Sequence, residues 1–525
     1  MTCKNLDTST TFQNLKKLGP SNLKEVLTPQ RITSYQAKAG GELTYNYAAM
    51  PIAEEHLAML QSLSDELMLT DKYRSLLDGE VMNTGEKRLV LHHLTRGQVG
   101  KNVTVDGQDK GAFYQEQLTR IESFSEAVRS GKIVGSTGKA FTTVVQIGIG
   151  GSDLGPRAIY LALKGWCASQ GIQMLDAQFI SNVDPDDAQA VIDEVDLERT
   201  LFVLVSKSGT TLETLTNRDL VIQAIKHSGI SGIDPEKHMV AVTSKTSPLA
   251  SSSALLDAFF IDDYIGGRYS STSAVGAVIL SLAYGFAVVK QFLNGAHQGD
   301  IAALQSKITE NAALLDALLG VYLRNVLNYP TTAILPYSQA LSRFPAHLQQ
   351  LDMESNGKHV NRDGEELSYP TGMVIFGEPG TNGQHSFYQL LHQGSDIVPL
   401  QFIGFKESQY GKDVEVEGSS SQEKLNANLV AQIVAFAQGK EDVNPNKQFC
   451  GNRPSSLLYA RKLDPVALGA LLAHYENKVM FQGFIWNLNS FDQEGVQLGK
   501  VLATKVLDGC EGDQVLKTFI GLLQP

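Results

Sequence analysis

The chain has 525 residues, 42% of them hydrophobic and 19% charged, and a net charge of −12. A chain this long buries a sizeable core and is expected to hold two or three domains. The acidic balance excludes nonspecific nucleic-acid binding, which needs a basic footprint, yet leaves small anionic ligands open, because a site can be positive on an acidic protein. The four cysteines, Cys3, Cys167, Cys450 and Cys510, form no Cys-x-x-Cys pair. A disulfide-stapled secreted scaffold would carry more, so a reducing, cytoplasmic setting is expected.

In chain order, the first hundred or so residues are polar and helix-like, with apolar residues at helical spacing in PIAEEHLAMLQSLSDEL. The N-terminus MTCKNLDTSTTFQNLKK has no signal-type apolar core. From residue 140 the texture changes. FTTVVQIGIGG, QFISNVDPDDAQAVI, TLFVLVSKSGTTLETL and HMVAVTSK each read as a strand that ends in small or polar residues. Where a helical pattern follows, the alternation predicts βαβ units and a parallel sheet, with ligands at the carboxyl ends of the strands. The apolar run AVGAVILSLAYGFAVV (274–289) contains Ser281 and Tyr284. It falls short of the roughly 20 residues of a membrane span and predicts a buried helix. A helical stretch over 301–325 precedes a second set of strands, TTAILPYS, TGMVIFGEPG and IVPLQFIGF, and the end is helical again.

Several stretches carry chemistry-bearing residues, each with a plainer reading. SKSGTT (206–211) combines hydroxyls, a lysine and a glycine between strand and helix, which is the composition of a phosphate-binding turn. A simple helix cap uses the same residues. GIGGSDLGP (148–156) fails the dinucleotide spacing, because Asp153 stands where the third glycine belongs. It suits close approach of backbone to a small ligand, with Ser152 as donor; glycines needed only for a tight turn are the alternative. In YIGGRYSSTSAVG (264–276), Arg268 is placed either to stabilise an oxyanion or on the surface. Glu354, in QQLDMESNGKHV, is a candidate general base or an ordinary solvated carboxylate. His385 and His392 lie in GEPGTNGQHSFYQLLHQG, with His385 at a helix start that suits an acid/base imidazole; a capping or core histidine is the alternative. The adjacent His92 and His93 do not share a helix face, which argues against joint metal ligation.

Together with FISNVDP, GNRPSS and GFIWNLNSFDQEGVQLGK, these stretches occur in an order over residues 148–500 that closely resembles the glucose-6-phosphate isomerase family, and NTGEKRLVLH (83–92) extends the likeness more loosely. The resemblance implies an α/β fold: two sugar-isomerase (SIS)-type α/β/α sandwich domains with parallel sheets, plus helical N- and C-terminal segments. The expected division is an N-terminal helical segment at 1–115 packing on the large domain, a small SIS-like domain at 116–290, a large one at 291–500, and a helical tail at 501–525. It further implies a homodimer with the active site at the domain and subunit boundary, a sugar-phosphate substrate, no metal or organic cofactor, and no nucleic-acid or membrane partner. The implied activity is reversible conversion of glucose 6-phosphate and fructose 6-phosphate, a step of glycolysis and gluconeogenesis.

The resemblance also implies roles. Ser206, Ser208 and Thr211 give hydroxyls to the phosphate, Lys207 a backbone N–H, and Gly151 with Ser152 closes the other side. His385, reaching the neighbouring subunit's site, opens the sugar ring, with Lys500 at the ring oxygen. Glu354 moves the proton between C2 and C1, Arg268 faces the developing oxyanion, and Gly267, Gln350 and Gln493 hold hydroxyls or water. Two positions depart from the family pattern. Gly209, with Ser208, stands where bulkier residues are common, and Gln497 stands where glutamate is usual, one turn before Lys500. The alternatives are a dual glucose/mannose-6-phosphate isomerase, an aminosugar-phosphate isomerase on the same fold, and a non-catalytic regulator that only binds sugar phosphates.

Overall fold

The computed structural model describes residues 4–523, so Cys3 lies outside it; Cys167, Cys450 and Cys510 are free thiols. Two sheets organise the chain. The first is five-stranded and wholly parallel, in the order Asp176–Ile180, Thr143–Ile147, Thr200–Val205, Met239–Thr243, Ala258–Phe260. Its central strands read as largely apolar runs, interrupted by Gln146, because helices cover both faces. Ile147 is in register with both Ile180 and Leu204, so neighbouring strands finish at one level. From Ile147 the chain crosses to strand Asp176–Ile180 on one side, and from Val205 to strand Met239–Thr243 on the other. The crevice between two strands whose connections part in this way is where doubly wound sheets bind ligands.

The second sheet has six strands, in the order Gln36–Gly40, Leu43–Asn46, Ser455–Lys462, Leu400–Glu407, Thr331–Pro336, Val374–Phe376. Only the last four are parallel. The first two form a hairpin that joins Ser455–Lys462 antiparallel. The hairpin adds an antiparallel edge, contributed by the N-terminal segment, to the expected parallel set. The hairpin turns at Gly40, Gly41 and Glu42, all at positive φ (89°, 51° and 64°). A Cβ at Gly40 would overlap the Gln298 backbone, so glycine is required there.

The apolar run at 274–289 is buried, as expected, but it is not one helix. Helix Ala274–Tyr284 stops at Gly285, whose φ is +87°, and helix Phe286–Ala302 starts anew. Arg129 donates 2.9 Å hydrogen bonds to the carbonyls of Leu282 and Ala283, satisfying acceptors that the break leaves open. The predicted helix over 301–325 begins only at Ala312, where Asn311 caps it and its amide ties back to the Ala303 and Gln305 carbonyls. At the C-terminus, helix Gln497–Leu507 spans the expected tail boundary at 500/501. No helix among the described residues is long and apolar enough to cross a membrane.

Helix Pro465–Ile485 is buried along almost its whole length and packs against Phe286–Ala302 and Ala312–Asn325. Charges inside this layer are paired, as burial demands. Arg96 meets Asp300 at 3.1 Å and also Glu476, and Asp316 accepts from His474, Lys478 and Gln401. Some buried histidines lack such partners. Neither ring nitrogen of His347 has a hydrogen-bond partner among the described residues, and His93 has no charged one. Burial pulls His347 down to about 4 and His93 to about 3.

These histidines are neutral in the fold and take up protons only once it opens. Their stabilisation is whole above the ordinary value near 6.5 and is lost as pH falls below it, until the folded values are reached. His347→Leu is therefore expected to flatten the acid limb of unfolding free energy against pH by about 1.4 kcal/mol per unit between roughly pH 6 and 4. Urea titrations across that range check it, and an unchanged slope contradicts it.

Candidate functional site

The site starts where the first sheet ends. After Ile147, the turn Gly148–Ser152 bends with Gly150 at φ +60°. The Gln146 amide fixes the turn by donating to the Ser152 carbonyl at 2.7 Å. A Cβ on Gly151 would overlap the Gly267 carbonyl, so this glycine lets two backbones touch. After Val205, the SKSGTT turn closes on itself. The Ser206 and Thr211 hydroxyls lie 2.8 Å apart, Gly209 N–H donates to Ser206 Oγ at 3.0 Å, and Thr210 donates to Ser208 Oγ through both its N–H and its hydroxyl. Helix Leu212–His227 follows with first-turn N–H groups that have no intrahelical acceptor. Hydroxyls, free N–H groups and a helix N-terminus make this turn an anion cradle.

Lys207 turns its side chain away from that cradle. Its ammonium donates to the carbonyls of Asp263 and Ile265 at 3.0 and 3.2 Å, and burial lowers its pKa. Only its backbone is left to face the turn. The same bonds tie the cradle to the segment leading into Gly267 and Arg268. Gly209 has φ +69°, and a Cβ there would overlap the Ser247 hydroxyl. Glycine, unusual at this position in the family pattern, is what this loop requires.

Arg268 sits in a single 3-10 turn, Gly267–Tyr269, and is 1% exposed. Its Nε donates to Ser355 Oγ at 2.7 Å, Nη2 to the carbonyls of Ser490 and Asp492 at 2.7 and 2.9 Å, and Nη1 to Gln493 Oε1 at 3.2 Å. Nη1 also lies 3.4 Å from the Glu354 carboxylate, whose side chain is 22% exposed. Glu354 and Gln350 occupy the two ends of one π-helical turn, Gln350–Glu354, inserted between helix Phe344–Gln349 and Ser355. Such insertions recur at functional sites because they re-aim side chains that a regular helix would misplace. The Gln350 amide nitrogen faces Gly150, and its Oε1 is buried without a hydrogen-bond partner among the described residues. Behind them, burial pushes Asp352 up to about 6.

The structure thus brings together Gly151, Ser152, Gly267, Arg268, Gln350, Glu354 and Gln493, and joins them to the Ser206–Thr211 cradle. Glu354 and Gln493 also line a cavity of about 580 Å³ with Met353, Lys358, Asp492 and Glu494. They are the two expected residues that line it; His385 and Lys500 also stand apart from the Arg268 cluster. His385 is exposed at the end of a 3-10 turn, Asn382–His385. Lys500 lies on helix Gln497–Leu507, which has no buried residue. His392 is stacked on Phe436 at 3.7 Å and bonded to Gln432, a packing role. His92 stacks on Tyr269 inside the core, and no group of three His, Cys, Asp or Glu among the described residues is placed to hold a metal. Ser355, Ser490 and Asp492, which fix Arg268, were not singled out by sequence, although they flank Glu354 and Gln493 in the quoted motifs. An anion cradle, a buried guanidinium and a partly exposed carboxylate in one cluster can hold a phosphorylated ligand and move a proton beside a developing oxyanion.

Comparison with known proteins agrees. The family model for phosphoglucose isomerase matches residues 46–521. A glucose-6-phosphate isomerase of Treponema denticola is 61% identical over 99% of both chains, and one of Borreliella burgdorferi is 48% identical over 98% of both. The crystal structure of a glucose-6-phosphate isomerase from Chlamydia trachomatis superposes with a TM-score of 0.91 at 44% identity, covering 99% of each chain. A Thermus thermophilus protein described only as hypothetical shares the fold at 26% identity and TM-score 0.65, over 85% of this chain and 97% of its own. With its motifs in order, its two-sheet fold and relatives matched end to end, the chain belongs to the phosphoglucose isomerase family.

Proposed function

We propose that this protein interconverts glucose 6-phosphate and fructose 6-phosphate through an enediolate. The observation that carries the reading is the Arg268–Glu354 pair, set beside the glycine turn that leads to the phosphate cradle. The Ser206, Ser208 and Thr211 hydroxyls, the Lys207 N–H and Gly151–Ser152 hold the phosphate. Binding energy gained there orients carbons that react at the far end of the sugar. His385 and Lys500 open the ring: the 1-hydroxyl gives up its proton and the ring oxygen gains one as the C1–O5 bond breaks. The Glu354 carboxylate then takes the C2 proton and returns it to C1. Negative charge that builds on the oxygens faces the Arg268 guanidinium, with Gln350, Gln493 and Gly267 holding hydroxyls or water.

This reading includes a homodimer in the cytoplasm. The exposed turn Asn382–His385 supports the expectation that His385 serves the neighbouring subunit's site. The acidic, cysteine-poor sequence is in keeping with that compartment. The first sheet and the four parallel strands of the second would be the cores of the domains expected at 116–290 and 291–500, with the hairpin Gln36–Asn46 joining the latter from the N-terminal segment. A regulator that only bound sugar phosphates would need the cradle but not a carboxylate held against a buried arginine. The full-length relatives named glucose-6-phosphate isomerase speak against the dual-specificity and aminosugar alternatives.

Purified protein is expected to convert fructose 6-phosphate to glucose 6-phosphate in a dehydrogenase-coupled assay with chelator present. Glu354→Gln should lower the rate by about 10²–10⁴-fold. Activity lost to chelator, or a fully active Glu354→Gln variant, contradicts the mechanism. Gly209→Ala should raise KM for the sugar phosphate with little change in kcat, because a left-handed φ costs a non-glycine residue about 1 kcal/mol and the strain falls on the cradle. Steady-state kinetics check this; an unchanged KM contradicts it.

A further inference from the structure

Lys358 and Asp492 form an ion pair beside Arg268 that takes no part in the steps above. The Lys358 ammonium contacts the Asp492 carboxylate and donates to the Asp492 carbonyl at 3.1 Å. That same carbonyl accepts from Arg268 Nη2 at 2.9 Å. The other carboxylate oxygen of Asp492 accepts from the Asn489 amide at 2.5 Å, and that amide also donates to Asn83 Oδ1 at 3.0 Å. Both side chains of the pair are 16% exposed. Lys358 is itself held by Thr371, whose hydroxyl meets both its N–H and its carbonyl. It lines the same cavity as Glu354 and Gln493.

Two cations and two carboxylates therefore share one small, poorly solvated space, and their pairing is decided by geometry. Arg268 reaches the Asp492 residue only through its carbonyl; the Asp492 carboxylate is turned to Lys358 and Asn489. A nearly buried carboxylate left without a cation is strongly disfavoured. Freed of Lys358, it would stand beside Arg268, which already donates to the Asp492 carbonyl at 2.9 Å, and would compete there with Glu354 and with the developing oxyanion. We propose that Lys358 is a positioning residue for the isomerisation: it keeps the Asp492 carboxylate off Arg268, so that the guanidinium faces Glu354 and the sugar. This inference rests on the isomerase reading above and gives that reading a second, charged layer.

Burial lowers the Lys358 pKa, with Asp492 acting in the opposite sense, and Arg268 and Glu354 are among the charges it feels. The other charged or titratable groups near this space are Glu494, His359 and Arg362 around the cavity, Asp352 on the π-helical turn, and Glu86 on the turn that carries Asn83.

The test is kcat/KM for fructose 6-phosphate against pH in the wild type, Lys358→Met, Lys358→Arg and Asp492→Asn. Lys358→Met should lower kcat/KM by about 10–10²-fold. It should also move the acid limb to higher pH by about one unit, since loss of a nearby cation makes a carboxylate easier to protonate. Asp492→Asn removes an anion and should move the same limb to lower pH. Lys358→Arg should restore most of the rate and the wild-type limb. If Lys358→Met leaves the limb in place, or if Lys358→Met and Asp492→Asn move it in the same direction, the proposal is overturned. Should Lys358→Met not fold, Asp492→Asn and Lys358→Arg still decide against the wild type: a limb that Asp492→Asn does not move to lower pH, or that Lys358→Arg moves, overturns the proposal. An inactive wild type would instead remove the isomerase reading itself.

Discussion

A guanidinium taken out of water must have its donors met, and Arg268 imposes that demand on the whole molecule. Its partners come from Ser355, just past the π-helical turn, and from Ser490, Asp492 and Gln493, in the turn that follows helix Pro465–Ile485. Arg268 itself belongs to the segment that leaves the first sheet, whereas Glu354 follows the first strand of the second sheet's parallel set. Satisfying one buried charge thus locks the two halves of the fold together. It also places a carboxylate within 3.4 Å of a fixed cation. A buried charge stripped of its partners costs several kcal/mol, so the constraint is strong enough to select one arrangement.

The Ser206–Thr211 turn, proposed to hold the phosphate, is coupled to that arginine through backbone rather than through charge. Gly151 lies flat against Gly267, and Lys207 anchors the cradle to the carbonyls of Asp263 and Ile265, a few residues before Arg268. An anion held at the helix N-terminus is thereby referred to the same frame as Glu354 and Gln350. Remote binding energy aids chemistry only when such a rigid link exists. The buried layer around Pro465–Ile485 supplies the rigidity, since its charges at Arg96, Asp300, Glu476, Asp316 and Lys478 are paired in place.

What could be read in the sequence was what is local. Strands Thr143–Ile147, Asp176–Ile180, Thr200–Val205 and Met239–Thr243 announce themselves as apolar runs, and Pro185 or the SKSGTT turn marks where the helices begin. The hairpin Gln36–Asn46 was not legible as part of a sheet, because it joins the sheet only through Ser455–Lys462, some four hundred residues away; Ser455–Lys462 was not singled out either. The break at Gly285 hides in a continuous apolar run; only the left-handed glycine and the Arg129 bonds reveal it. At the site, the hydroxyl-rich turn carried a physical signal of its own. Glu354, Arg268 and His385, taken singly, did not, and gained weight only from the ordered motifs around them. Ser355, Ser490, Asp492 and Lys358 stayed silent, since their work consists of contacts across the fold that spacing does not encode.

The central claim is that the fork of Arg268, and not merely a positive charge, sets the geometry of the site. The most direct test is kcat/KM of Arg268→Lys for fructose 6-phosphate, measured per folded molecule with near-UV circular dichroism as the control. Lysine keeps the charge but cannot span Ser355, Ser490, Asp492 and Gln493 at once. A loss of about 10²–10³-fold in a folded variant is the expected result. Activity within about tenfold of the wild type would contradict the account, because a charge without the fork would then suffice.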